Sequence, residues 1–356
     1  MPIPSPLPAL FMAACLTAFA FTAHGGEPAE RSAARDEMFG STTPETVRVC
    51  RAFGRGVNLG NVLESPKNRQ WGSKFEPWMI ETAHTLGFDS IRLPVRWSDY
   101  AEKTAPYTIE AGFFGVVDSA VRQATELGMP IIVNVHHYEE LYADPEASAD
   151  RFVSLWRQIG EHFRDAPPSV VFELLNEPHD KLTPDRWNSL LPRALAAVRA
   201  SNPTRAVIVG PGRWNSIGAL DTLHLPDDPN LIVTVHCYDP FRFTHQGAGW
   251  VGEHSKEWVG TEWRGTEEER AELRALFETV KAWGSEHGRP MHLGEFGAFH
   301  RADMDSRVLW TRAMRDEAER AGCSWHYWEL ASYFGVVSPE PGHERRQGLI
   351  EALLGE

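Results

Sequence analysis

The chain has 356 residues, 42% apolar, 24% charged and 11% aromatic, with a formal charge of −14. These proportions exclude a disordered or fibrous chain, and the acidity excludes nucleic acid or an anionic membrane as partner, since both bind basic surfaces; a neutral polysaccharide would not be repelled. The length suits two ordinary domains or one α/β barrel, which runs to about 250 residues or more.

Residues 1–25, MPIPSPLPALFMAACLTAFAFTAHG, carry no Lys, Arg, Asp or Glu, and the stretch from Leu10 to Ala23 is mostly apolar. The run is short for a membrane span, and small residues at Ala18, Ala20, Ala23 and Gly25 offer cleavage sites, so a secretory signal is expected. No basic residue follows Met1, which leaves an uncleaved N-terminal anchor as the other reading. Met12-Ala13-Ala14-Cys15 offers a lipoprotein-type processing box, but the residues after Cys15 stay apolar. The expected product is a secreted or periplasmic monomer. Removing the signal leaves Cys50, Cys237 and Cys323, an odd set without close spacing that frames neither disulfides nor zinc. Residues 26–45 read as a polar lead-in, and 46–356 as one catalytic domain.

From there short apolar runs bounded by Gly or Pro recur at 53–60, 90–95, 130–135, 170–175, 206–210, 231–236, 290–294 and 323–328. Stretches of helical periodicity such as AGFFGVVDSAVRQATELG lie between them. Eight strand–helix units with strands apolar on both faces predict a parallel sheet closed into a (β/α)8 TIM barrel. An open doubly wound sheet is disfavoured, because no Gly-rich phosphate turn follows the first strand. The loop 239–265 is the longest connection, and its Trp250, Trp258 and Trp263 predict that it is ordered over the barrel mouth.

Barrel chemistry sits where the strands end, because only there do the βα loops converge. Those ends carry Asn58 and Asn61, Arg92, His136 and His137, Asn176 and Glu177, Trp214, His236 and Tyr238, Glu295, and Trp328. Strands four and seven face one another across such a mouth, so Glu177 and Glu295 are expected to form a carboxylate pair. A pair of this kind fits glycoside hydrolysis, in which one carboxyl protonates the leaving oxygen and the other attacks the anomeric carbon or activates water. Asn176 can hydrogen-bond a sugar 2-hydroxyl. Arg92 and Tyr238 can hold one carboxylate ionised, and His236 and His137 can position the acid or the sugar. Trp328, Trp214 and Trp250 offer flat faces for pyranose rings. Adjacent strand residues point to opposite faces, so Asn176 and Glu177 can share the cleft only if the pleat breaks, expected at Asn176 with Pro178 just beyond.

At these residues the chain resembles glycoside hydrolase family 5, the cellulase/mannanase family. GRGVNLGNVLE, IRLPVRW, VNVHHYEEL, LLNEPH, VHCYDPF, GEFGAF and WHYWEL match in order over nearly the whole mature chain. NEP alone is a weak signal; the ordered set is specific. HHYEELYADPE and FTHQGAGW look closest to a thermophilic bacterial branch that cleaves β-1,4-glucans and β-1,4-mannans. The resemblance implies a retaining mechanism with Glu177 as acid/base and Glu295 as nucleophile. It also implies support from Arg92, His136, Asn176, His236, Tyr238 and Trp328. Asn61, Glu64, His137, Trp214, His245 and Trp250 are implied as cleft residues, and no metal or cofactor is needed. The chain departs from the family at Cys237, where another residue is commoner.

Other readings compete. Glu173, deeper in strand four, is expected to be a salt-bridge partner. Glu329 is the rival catalytic carboxylate, and Arg92 could merely neutralise buried acids. His136 and His137 could ligate zinc in a metal-dependent hydrolase. An inactive carbohydrate-binding barrel would keep the tryptophans but lose a carboxylate. Trp258 and Trp263 are expected to pack the loop, and Asn58 could simply satisfy backbone groups at its strand end.

Overall fold

A computed structural model describes residues 40–340 and 342–355; the expected signal, Cys15 and most of the lead-in lie outside them. Eight parallel strands close in sequence order: β1 (Arg55–Asn58), β2 (Ser90–Leu93), β3 (Ile131–Asn134), β4 (Val170–Glu173), β5 (Val207–Val209), β6 (Leu231–His236), β7 (Met291–Glu295) and β8 (Ser324–Tyr327). The ring is completed by β8 pairing with β1, with Gly56 beside His326.

The strands read as apolar on both faces, yet their two faces differ. Ile91, Leu93, Ile131, Val133, Val170 and Phe172 point outward into the packing against the helices. The alternate positions turn inward, as the period of two requires, and these include Arg92, Asn134 and Glu173. Ile132, Val171, Ile208 and Ile232 fill the interior and pack on Val49, Cys50 and Phe53. The last three belong to the helix Pro44–Ala52 and its end, which therefore caps the barrel floor. Thr43 begins that helix by accepting from the Thr46 N–H.

Six of the seven links between strands contain a full helix, but the link from β5 to β6 does not. It holds only a turn at Gly212–Asn215 and a 3-10 stretch at Ile217–Thr222. Its second half, LPDDPN, carries Pro226 and Pro229, which remove backbone donors and stop a helix from propagating. The crossover loop after β6 is ordered by the helix Phe241–Thr244 and the 3-10 stretch Glu253–Trp258, and Trp263 is buried beneath it. Trp258 packs edge-on to Phe241. Both indoles pack the loop.

The floor carries an inward polar chain. Cys50 Sγ lies 3.4 Å from Ser324 Oγ, which lies 2.9 Å from His292 Nδ1. His292 Nε2 is 3.1 Å from His326 Nδ1, and His326 Nε2 is 3.0 Å from Ser90 Oγ. Ser90 donates to the Phe53 carbonyl at 2.5 Å. A carbonyl can only accept, so that end sets every proton: Ser90 must accept from His326 Nε2–H, and His326 Nδ1 from His292 Nε2–H. His292 Nδ1 then accepts from Ser324. All the groups are buried, and the chain is closed at both ends.

Candidate active site

At the opposite end of the barrel Arg92, wholly buried on β2, organises the site. Its Nε and Nη2 donate to Glu173 at 2.7 and 2.8 Å, Nη2 also to Asn176 Oδ1 at 2.8 Å, and Nη1 to Asn58 Oδ1 at 2.8 Å and Glu295 Oε1 at 2.7 Å. Those contacts use all five guanidinium hydrogens, so the buried cation is both paired and satisfied. Glu173 is thus the salt-bridge partner expected of it. Asn58 serves two ends: its Nδ2 donates to the Gly294 carbonyl at 3.0 Å, while its Oδ1 orients Arg92.

Glu295 ends β7. Besides Arg92 it accepts from Tyr238 Oη at 2.8 Å, so its two oxygens each take a donor. Glu177 has different company. Its Oε1 lies 2.8 Å from His236 Nδ1, and no guanidinium touches it. Burial raises both carboxyls above the ordinary range, Glu177 to about 7. Two donors, one of them cationic, stabilise the ionised form of Glu295; Glu177 is the one left to hold a proton. One oxygen of Glu177, one of Glu295 and a ring nitrogen of His236 lie within 4.8 Å of one another. That cluster could reach a metal ion, but Arg92 already places a positive charge 2.7 Å from Glu295, a poor setting for a cation.

The pleat breaks one residue later than expected. Asn176 still donates its backbone N–H to the Val135 carbonyl at 2.9 Å, as a strand residue would, and its carbonyl accepts from Tyr142 Oη at 2.6 Å. Glu177 then adopts φ +47°, the left-handed region, which brings its side chain to the same cleft as Asn176. Asn61, His137, Arg213, Trp214 and Asn215 also have positive φ. Non-glycine residues in that region cost of order 1–2 kcal/mol each, and here they gather around the mouth.

His136 is buried, its ring stacked 5.8 Å from Trp328. Asn134 accepts the Val95 N–H through Oδ1, so its Nδ2 donates to His136 Nδ1 at 3.0 Å. The remaining proton sits on Nε2, 4.0 Å from Glu295 Oε1. His137 turns edge-on to Trp71 and does not share a chelating geometry with His136. Trp214 is exposed and stacks on His179 at 5.1 Å, and Trp250 is exposed beside Phe299. Asn61 reaches the β8 loop, where its Nδ2 donates to Ser332 Oγ at 3.0 Å.

Two of the implied cleft residues are held by contacts within the protein. Glu64 is fully buried and accepts the backbone N–H groups of Asn61 and Val62, so it holds the β1 loop in shape. His245 is buried behind Tyr238 and stacked on Phe241 at 4.1 Å. Glu329, the rival carboxylate, is also wholly buried, with Ser332 donating to it. The sequence reading missed Asn134, Tyr142, His179, Asn215 and Trp71. Asn134 had a signal, as a polar residue ending an apolar run two places before His136. The others sit in the βα connections, in loops or in helical pieces of five residues or fewer, such as Glu139–Ala143, that no periodicity announces.

Residues 50–333 match the family model described as cellulase (glycosyl hydrolase family 5). Endoglucanase H of Acetivibrio thermocellus is 35% identical over 81% of this chain, which spans only 31% of that longer protein. Thermotoga maritima Cel5A in complex with cellobiose superposes with a TM-score of 0.84 at 40% identity, covering 87% of this chain and 100% of the solved one. The same enzyme with mannotriose gives 0.84 at 39%, with the same coverage. The cellulose synthase subunit Z (CcsZ) of Clostridioides difficile gives 0.82 at 34% over 85% of this chain and 99% of its own. With the family match running from the floor helix to the loop after β8, the chain belongs to glycoside hydrolase family 5.

Proposed function

We propose that the chain is a retaining endo-β-1,4-glycanase acting on cellulose-type or mixed-linkage glucans. The closeness of the two carboxylates, with one oxygen of each within 4.8 Å of the other, carries this reading. A retaining enzyme keeps them about 5–5.5 Å apart, whereas an inverting one needs room for a water, at about 6.5–9.5 Å. Glu295, ionised by Arg92 and Tyr238, attacks the anomeric carbon while Glu177 delivers its proton to the leaving oxygen. Water then displaces Glu295 from that carbon as Glu177 takes the proton back. Asn176 spends Oδ1 on Arg92, which leaves its NH2 for the sugar 2-hydroxyl. His136 Nε2–H faces the same space, and Trp328 forms the floor for the ring.

The titles of the Cel5A complexes name both a gluco- and a manno-oligosaccharide as that protein's ligands, so activity on β-mannan and glucomannan is part of the proposal. Secretion through residues 1–25 and a monomeric state belong to it as well. Proton NMR of the first products from cellohexaose should show the β-anomer; initial α-anomer would exclude double displacement. Parallel rates on carboxymethylcellulose, barley β-glucan, glucomannan and galactomannan should rank the glucans first, and a galactomannan rate above them would reassign the main activity.

A further inference from the structure

His236 meets Glu177 Oε1 through Nδ1, and its far nitrogen meets Asn215. Asn215 is fully buried, and its Nδ2 lies 3.4 Å from His236 Nε2. The contact is built with effort. Arg213, Trp214 and Asn215 are three consecutive residues at φ +54°, +58° and +52°, a left-handed turn that swings Trp214 outward and Asn215 inward. Ser216 then pairs alongside His236, which fixes the turn against β6.

The orientation of the amide follows from what surrounds it. Asn215 Oδ1 has no hydrogen-bond partner among the described residues. It sits in the space that a Cβ on Gly210 would take, since that atom would come within 2.3 Å of Oδ1. A carbon-bound hydrogen of Gly210 can face an oxygen there; the hydrogens of an amide nitrogen would collide with it. Nδ2 is therefore the atom turned to His236, and an amide nitrogen only donates. Nε2 must accept, so the single proton of the neutral imidazole stands on Nδ1, pointing at Glu177 Oε1. Burial keeps His236 neutral by lowering it to about 4, so its tautomer is the property left to be set.

We propose that Asn215 is a positioning residue for Glu177: by holding His236 as the Nδ1–H tautomer it occupies Oε1 as an acceptor and confines the acid proton to Oε2. With the opposite tautomer, Nδ1 would carry a lone pair and draw that proton to Oε1, into a hydrogen bond with the imidazole. Asn215 touches neither carboxylate. It acts through His236, and the inference rests on the reading of Glu177 as the acid.

The isosteric variant Asn215→Asp offers only acceptors to Nε2, and so reverses the setting without changing shape. Nitrogen-15 spectra of histidine-labelled full chain, with His236 assigned by its loss in His236→Asn, read the tautomer directly and without substrate. Wild type should show Nδ1–H at neutral pH. Asn215→Asp should show Nε2–H or the doubly protonated ring. Nε2–H in the wild type, or an unchanged Nδ1–H signal in the variant, overturns the proposal whatever Glu177 does. In turnover, Asn215→Asp should lower kcat/KM for cellohexaose about 10- to 100-fold, within the usual contribution of general acid catalysis. For 2,4-dinitrophenyl cellobioside, whose leaving group needs no proton, it should change by less than about 3-fold. Equal losses on both substrates would mean that Asn215 merely holds the fold together. A Glu177 that fails as the acid would show separately, as hydrolysis of cellohexaose by Glu177→Ala.

Discussion

The two ends of this barrel hold the same kinds of groups and put them to different uses. At the floor, His292 and His326 lie between Ser324 and Ser90 in a chain sealed by the Phe53 carbonyl, with the rings of both histidines edge-on to Phe53 at 5.3 and 5.9 Å. At the mouth, His136 and His236 lie among carboxylates whose protons have somewhere to go. The floor is capped by the Pro44–Ala52 helix, which has no counterpart over the mouth among the described residues. From Ser324 to the Phe53 carbonyl each floor donor has one acceptor and no carboxylate joins the chain, so it has a single protonation pattern. At the mouth Glu295 is held by a cation and a phenol, while Glu177 faces a neutral ring, so one proton can be held or released. Buried histidine therefore marks a site only where carboxylates and open loops accompany it.

The largest effect that would sharpen this contrast is expected at the nucleophile. Glu295→Ala should lower kcat on glucan by about four orders of magnitude or more, as loss of a covalent nucleophile does. Its urea midpoint should fall, because buried Arg92 and Tyr238 each lose a partner. Turnover within tenfold of wild type would remove Glu295 from the chemistry. Glu177→Ala should lose about 10²- to 10⁴-fold on polysaccharide, the share of a general acid. It should recover in part with azide when the leaving group is activated, and a failure of azide to form β-glycosyl azide would argue against this residue.

The floor should answer in stability and not in rate. Burial holds His292 at about 3 and His326 well below its ordinary value. The unfolded chain takes up protons on these residues below about pH 6.5, which the folded floor refuses, so stability falls as pH drops from about 6.5 toward about 3. His292→Gln should cost about 1–3 kcal/mol at pH 7 through unpaired neighbours. The gap to wild type should narrow by up to about 1.4 kcal/mol per pH unit on acidification, measured by urea unfolding at pH 7 and 5. A constant gap would mean that His292 is not held neutral. The smallest effect is expected at the end of the chain: Cys50→Ala should cost about 1 kcal/mol and leave the pH–rate profile in place. A shift of that profile would show that floor and mouth communicate.

The barrel itself was legible because apolar runs of strand length, spaced by helical periodicity and bounded by Gly and Pro, admit few arrangements. Glu177 and Glu295 were legible as partners for the same reason, since a closed parallel barrel puts the ends of β4 and β7 at one rim. The expectation of eight strand–helix units missed the β5–β6 link, where Ile217–Thr222 is only a 3-10 stretch and the prolines at 226 and 229 stop a helix. Glu64 was read as a cleft residue because its motif borders the cleft, but a motif does not say which way a loop side chain turns.

What this sequence determined by itself is the alternation of strands and helices and the residue type at each strand end, because both are written in local pattern with periods of 2 and 3.6. Tertiary structure alone decided which carboxylate is held by Arg92 and which by His236, where the backbone turns left-handed at Glu177 and Asn215, and that the floor histidines close on themselves. Those outcomes depend on distances between residues far apart in sequence, such as Arg92 and Glu295, 203 positions apart. No local pattern encodes them, because they arise only when the sheet closes and each buried polar group must find its partner.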